Sequence, residues 1–144
     1  DTCGAGEHRG GVGLVRQYRL LAEEATLQLR SDRHTHKPYG IQGGGPAAGN
    51  RNILNPDRNS RELPAKVTMT MNRGDVIRHE QSGGGGYGDP LRRDPGRVAR
   101  DVANGKISPA YARQRHGVVL DPSGAKVDHG TTERLRASMR QAAE

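Results

Sequence analysis

The sequence predicts an α+β fold in which N-terminal β-hairpins with long Gly/Pro-rich loops precede about three short C-terminal helices. Three observations carry that expectation. Apolar residues recur at every second position in the early part of the chain, glycine and proline cluster between those runs, and after Pro90 the period becomes helical. Strands first and helices last is the order of an α+β chain rather than of a βαβ one. The implied organisation is a β-rich segment over residues 1–90, ending in a glycine-rich turn, and a helical segment over 91–144.

Val12, Leu14, Tyr18 and Leu20 alternate with Gly13, Val15, Gln17 and Arg19, so a strand is expected over Val12 to Leu20, its apolar face interrupted at Arg16. Ala25, Leu27 and Leu29 alternate with Thr26, Gln28 and Arg30. The polar break at Glu23 and Glu24 suits a hairpin between the two runs. Val67, Met69 and Met71 alternate with Thr68 and Thr70, turn at Asn72-Arg73-Gly74-Asp75, and return as Val76 to Glu80, which predicts a second hairpin. Between the hairpins, residues 38–56 are rich in Gly, Pro and Asn and read as a long irregular connection.

Asp94 can cap a helix that has Pro95 at its first position, Val98 and Val102 on one face and Gly105 as its stop. Ser108 and Pro109 repeat the start signal, and Gly117 ends that second helix. A third is expected over Thr131 to Ala143, stacking Leu135, Met139 and Ala142.

Composition narrows the function. Leu, Ile, Val and Phe supply only 23 of 144 residues beside a net charge of +7, a balance typical of disordered chains. Here the apolar residues lie in ordered runs, so the chain is expected to fold while burying surface against other protein. Its opening at Asp1 rather than Met fits a processed product or an excised piece of a longer chain. A lone Cys3 excludes an internal disulfide and suits a reducing compartment, and the sequence shows no apolar h-region at its N-terminus and no long apolar run, so a cytoplasmic chain with no membrane partner is expected. Positive charge is interspersed with acid, and four tyrosines without Phe or Trp leave little for base stacking, so no nucleic-acid partner is expected.

The stretch Ser82 to Pro95 formally contains G-x-G-x-x-G at Gly83, Gly85 and Gly88. A dinucleotide site would need a helix opening at once, whereas Asp89 and Pro90 follow, with an acid where an anion would sit. No Gly-Lys-Ser/Thr follows either, which excludes a P-loop. Gly83, Gly84, Gly85, Gly86, Gly88, Asp89 and Pro90 therefore read as a close-packed strand-to-helix corner. If Asp32-Arg33-His34-Thr35-His36 is extended, Asp32, His34 and His36 share one side, as a carboxylate and two imidazoles on a metal would. The alternative is a polar, basic loop, and with no further ligand fixed, no metal is assigned to this chain. Arg73-Gly74-Asp75 reads as turn composition. No nucleophile–base pair is recognisable, and no catalytic residue is assigned.

Taken in order, "DTCGAGEHRGGVGLVRQYRLL", "RSDRHTHKPYGIQGG", "RNILNP", "RELPAKVTMTMNRGDVIRHEQSGGGGYGDPLRRDP" and "VARDVANGKISPAYARQRHGVVLD" resemble the C-terminal part of the hydantoinase B/oxoprolinase family. The resemblance implies the C-terminal portion, or a small subunit, of a hydantoinase B-like ATP-dependent amidohydrolase that opens hydantoin- or oxoproline-type cyclic amides. It also implies a hydantoinase A-like partner subunit that handles ATP, the rest of the B-type subunit, a small-molecule substrate, and a divalent metal held outside this segment. Related members are subunits of ATP-dependent acetone and acetophenone carboxylases. Within this chain, Asp32, Arg33, His34 and Tyr87 become site-lining candidates. A non-catalytic assembly module is the other reading. Gly84→Val is expected to damage packing or assembly before ligand affinity, and a soluble, fully assembled variant would argue against the packed corner.

Overall fold

The computed structural model describes residues 1–124 and 126–142. Six strands form two antiparallel sheets, and helices close the chain. The strands are β1 Val15–Arg19, β2 Glu24–Arg30, β3 Arg51–Leu54, β4 Arg61–Leu63, β5 Lys66–Asn72 and β6 Val76–Glu80. One sheet has the order β1-β6-β3-β4, the other pairs β2 with β5.

The two expected hairpins do not form. β1 pairs with β6 and β2 with β5, so residues 15–30 and 66–80 run alongside each other as one bent antiparallel ribbon. At the bend, Leu20 N–H donates to Asp75 O, Gly74 N–H to Leu20 O and Arg73 N–H to Glu23 O. Pairing passes from Arg19 opposite Val76 to Glu24 opposite Asn72, which leaves one extra residue on the first strand, a bulge that turns the ribbon. The physical reason lies in the turns. Leu20 to Glu23 contains neither Gly nor Asn, which a tight hairpin uses at its positive-φ positions. Asn72 to Asp75 does turn, but only Gly74 is left-handed (φ 87°), the pattern of an unprimed turn whose arms splay apart.

Part of the expected irregular connection is also sheet. β3 is central, between β6 and β4, and its Asn52, Ile53 and Leu54 are all buried, so it shows no alternation for a period-based reading to find. The ribbon and β3–β4 enclose a cluster of Leu29, Leu54, Leu63, Met71 and Ile77.

Three glycine-rich segments, roughly residues 2–13, 38–48 and 82–88, pack backbone to backbone. Gly4 N–H donates to Gly84 O, Gly84 N–H to Gly11 O, Gly45 N–H to Ala5 O, Gly86 N–H to Gly45 O and Ile41 N–H to Gly86 O. A β-carbon on Gly85 would overlap the carbonyl of Tyr39, one on Gly86 the carbonyl of Ala5, and one on Gly10 that of Gly84. These glycines are required by space, since none of the three is left-handed. Gly84 is the roomiest of the run, with its nearest neighbour at 3.2 Å, so the severe positions are Gly85 and Gly86.

The chain then enters a short 3₁₀ turn, Pro90–Arg92, capped by Asp89, whose carboxylate accepts from Leu91 N–H. Helix α1, Pro95–Ala103, is capped by Asp94, and α2, Pro109–His116, by Ser108 with Gly117 in the left-handed conformation at its end. Helix α3, His129–Gln141, starts earlier than the apolar pattern predicts, because Asp128 accepts from Thr131 N–H. Leu135 and Met139 are half-buried, Ala142 is exposed, and Ala143 lies outside the described residues. Among the described residues no helix is long and apolar enough to cross a membrane.

The helices share a core with the start of the chain: Cys3 packs with Val98, Ile107, Ala112 and Val118. A buried charge cluster adds to that joint. Asp101 on α1 lies 2.9 Å from Arg9 and 2.8 Å from Arg93, while Arg93 also donates to Glu7 O. Burial alone would raise the Asp101 pKa, but the Arg9 and Arg93 guanidiniums hold it below the ordinary carboxylate value.

Two measurements check this architecture. Gly86→Ala is expected to unfold the chain or cost more than about 4 kcal/mol, whereas Gly11→Ala, with nothing near its β-carbon, stays within about 0.5 kcal/mol. Equal urea midpoints for the two would refute backbone packing. Asp101→Asn, which takes the carboxylate away from buried Arg93 and half-buried Arg9, is expected to cost roughly 3–5 kcal/mol by chemical denaturation.

Candidate functional site

The loop that follows β2 opens the pocket that is richest in the sequence-predicted site residues. Ser31 ends the ladder, donating N–H to Ala65 O, and Arg33 then takes a left-handed conformation (φ 63°), uncommon for a side chain of its size. Asn50 stabilises that turn. Its Nδ2 donates to Asp32 O at 2.6 Å, its N–H donates to Arg33 O at 3.0 Å, and its Oδ1 accepts from Ser82 N–H. One residue thus ties the loop to the start of the glycine run.

Behind the loop sits a polar chain that the sequence did not reveal. Asn52 is fully buried, its Nδ2 donating to Ser31 Oγ at 2.9 Å and facing His34 Nε2 at 3.2 Å. Ser31 Oγ and His34 Nε2 are 2.8 Å apart. On the other side Asn52 Oδ1 accepts a short hydrogen bond from His79 Nδ1. With that orientation of the amide, the protons of both imidazoles sit on Nδ1, leaving His34 Nε2 as an acceptor. Burial first, then the charges of His34 and Arg16, hold the His79 pKa below the ordinary imidazole value. Ser31 and His34 have the separation of a hydroxyl and its base, but the same oxygen already accepts from Asn52, which blunts it as a nucleophile. The pair reads as a latch on the loop.

The resulting open pocket, about 480 Å³, is lined by Asp32, Arg33, His34, His36 and Lys66 with Ser31 at its base. Asp32, Arg33 and His36 are exposed and His34 is half-buried. Tyr87 lies elsewhere: it bridges His8 and Ile41 in the glycine bundle, its ring 6.2 Å from that of His8.

The loop is not the extended strand that would put Asp32, His34 and His36 on one side, because Arg33 reverses the backbone. Among the described residues no three His, Cys, Asp or Glu side chains gather as a metal set. Nor is the glycine run a phosphate cradle. The N–H groups of Gly84, Gly86, Tyr87 and Gly88 are spent on carbonyls of Gly11, Gly45, His8 and Ile41, and Asp89 caps the turn beyond. The described residues therefore offer no fit to the phosphates of ATP at that run or to a divalent metal at the histidine loop.

The glycine segments, the loop and the ribbon all fall within residues 1–90, and those residues match the profile of the family described as Hydantoinase B/oxoprolinase. The chain belongs to the hydantoinase B/oxoprolinase family. It is similar to the beta subunit of the caprolactamase of Pseudomonas jessenii, 33% identical over 154 residues, which cover 96% of this chain and 24% of that protein. The B component of a putative D-/L-hydantoinase from Pseudomonas sp. (strain NS671) is 32% identical, over 91% of this chain and 22% of that one. Among solved structures, a chain of nucleotide-free acetone carboxylase superposes with a TM-score of 0.83 at 25% identity, covering 99% of this chain and 24% of its own length. This chain therefore spans about a quarter of the length of the relatives it matches.

The polar chain behind the loop predicts a pH dependence. The folded-state pKa of His79 is depressed from 6.5, and so is that of His116, which burial in the helical core lowers most. The unfolded chain therefore binds these protons first as pH falls. Stability is fully present above about 6.5 and declines as pH falls through that value toward the depressed ones. Urea midpoints at pH 7.5 and 5.0 check it: His79→Gln, which can still donate to Asn52, should shrink the difference, and an unchanged difference would assign the effect elsewhere.

Proposed function

We propose that the chain is the C-terminal portion of a B-type subunit in an ATP-dependent enzyme that opens hydantoin- or oxoproline-type cyclic amides. The observation that carries this reading is the family match over the region that builds both the glycine bundle and the loop pocket, alongside relatives whose names describe a hydantoinase and a lactamase. In this reading the glycine bundle is a rigid scaffold, and Asp32, Arg33 and His34 present polar groups at the edge of a site completed by the rest of the protein. Tyr87 lines a separate face with His8. ATP and the divalent metal belong to other parts of the assembly, with a hydantoinase A-like partner handling the nucleotide, in the cytoplasm.

The division of labour follows from amide chemistry. An amide carbonyl is a poor electrophile, and phosphorylating its oxygen turns that oxygen into a leaving group. The groups of this chain orient the ring and exchange hydrogen bonds with it, and they work on a molecule activated elsewhere.

A ketone carboxylase is the second reading, favoured by the 0.83 TM-score to acetone carboxylase. One assay separates the two. The full-length protein, co-purified with its partner, is expected to consume ATP in step with loss of hydantoin, 5-oxoproline or caprolactam, without bicarbonate. Bicarbonate-dependent consumption of acetone with no ring opening would establish the carboxylase instead. Asp32→Ala and Arg33→Ala are expected to lower turnover while the complex still assembles. Loss of assembly alone would make the segment a scaffold.

A further inference from the structure

The end of the β2–β5 ribbon carries an unbalanced charge. Arg30 and Lys66 are directly opposite each other across the ladder, so their side chains leave the same face of the sheet. Like charges in that relation destabilise a sheet unless something neutralises them. Among the described residues no carboxylate lies within ion-pair distance of Arg30, Lys66 or the neighbouring Arg33, although nine such pairs involve other residues.

The backbone that carries Arg33 is held in place. Arg33 sits at a left-handed position that Asn50 fixes through the carbonyls on both sides of its own peptide unit, Asp32 O and Arg33 O. Ser31, two residues before it, and His34, one after it, are latched to buried Asn52. An arginine whose strained backbone is pinned, facing an open pocket of about 480 Å³ beside a lysine, has part of its ordering settled before any ligand arrives. Half-buried His34 adds a polar side chain to the same pocket. Asp32 is its one acid, and it opposes the two cations.

We propose that the pocket between Arg33 and Lys66 is a binding site for a small oxyanion, a carboxylate or a phosphate group. Arg33 supplies a planar donor fork and Lys66 a point charge, the two donor types that recognise such groups. Arg30, opposite Lys66 across the ladder and outside the pocket's lining, adds to the field. Asp32 sets an upper limit on the attraction, and it is placed to accept from an N–H or O–H on the same ligand. The proposal deepens the site-lining role given to this loop and rests on that role, but the binding it predicts has its own readout.

The test is calorimetric titration of the full-length protein with inorganic phosphate and, separately, with sodium acetate at constant ionic strength. One saturable site is expected for at least one of them. Tighter phosphate binding would point to a phosphorylated ligand, and tighter acetate binding to a carboxylate. Arg33→Asn removes the charge while keeping a residue tolerant of the left-handed conformation, and Lys66→Gln removes the other charge from an exposed strand position. Each is expected to weaken binding about tenfold, the scale of one charge-assisted contact. Asp32→Asn is expected to tighten it, and Arg113→Gln on α2 to leave it unchanged. No saturable heat with either anion overturns the site, as does affinity that survives both Arg33→Asn and Lys66→Gln. If Arg33→Asn fails to fold, Lys66→Gln decides alone. Bicarbonate-dependent turnover in the enzyme assay would overturn the hydrolase reading and leave these isotherms as they are.

Discussion

The fold depends on backbones that approach more closely than any side chain allows. Around Gly85 and Gly86, carbonyls of Tyr39 and Ala5 occupy the volume of a β-carbon, and the amides of Gly84 and Gly86 are satisfied by segments far away in sequence. Glycine loses more conformational freedom on folding than other residues, so such a bundle is costly to order. Its compensation comes from hydrogen bonds made by whole peptide units and from the two apolar clusters on either hand in sequence, one in the ribbon and one under the helices. A chain with so few large aliphatics can hold a defined structure because part of its interior is peptide rather than side chain.

This division explains what could be read in the sequence. The first two helices were legible because their signals are local: Asp94 with Pro95, Ser108 with Pro109, and Gly117 at φ 60°. Strand positions in the ribbon were legible because Leu27, Leu29, Val67 and Met71 alternate. Their partners were not, since alternation gives a face and not a neighbour, and the decisive one-residue bulge leaves no mark in either run. The partners of Gly83 to Gly86 were hidden for a further reason: contacts between peptide units carry no side-chain pattern at all.

The polar loop was half legible. Its composition singled out Asp32, Arg33 and His34, while Ser31, Asn50, Asn52 and His79, which hold it, carry no joint signal because they come from three separate places in the chain. Asn52 gave no usable signal, since it stands between Arg51 and the apolar pair Ile53-Leu54 like any polar strand end. The reversal at Arg33 had none, because arginine is a poor advertisement for a left-handed backbone.

The three glycine segments also set how the chain can reach its native state. They are separated by tens of residues, and each supplies partners to the others, as Gly4 does for Gly84 and Ile41 for Gly86. No two of them form by local zipping, so long loops must close before the first of these bonds is made, and topologies of that kind fold slowly. Helices α1 and α2, with their own caps, can form early, but Cys3 and Arg9 must return across nearly the whole segment to complete the core around them. Closure of this region therefore waits on contacts between segments about a hundred residues apart, such as Arg9 with Asp101.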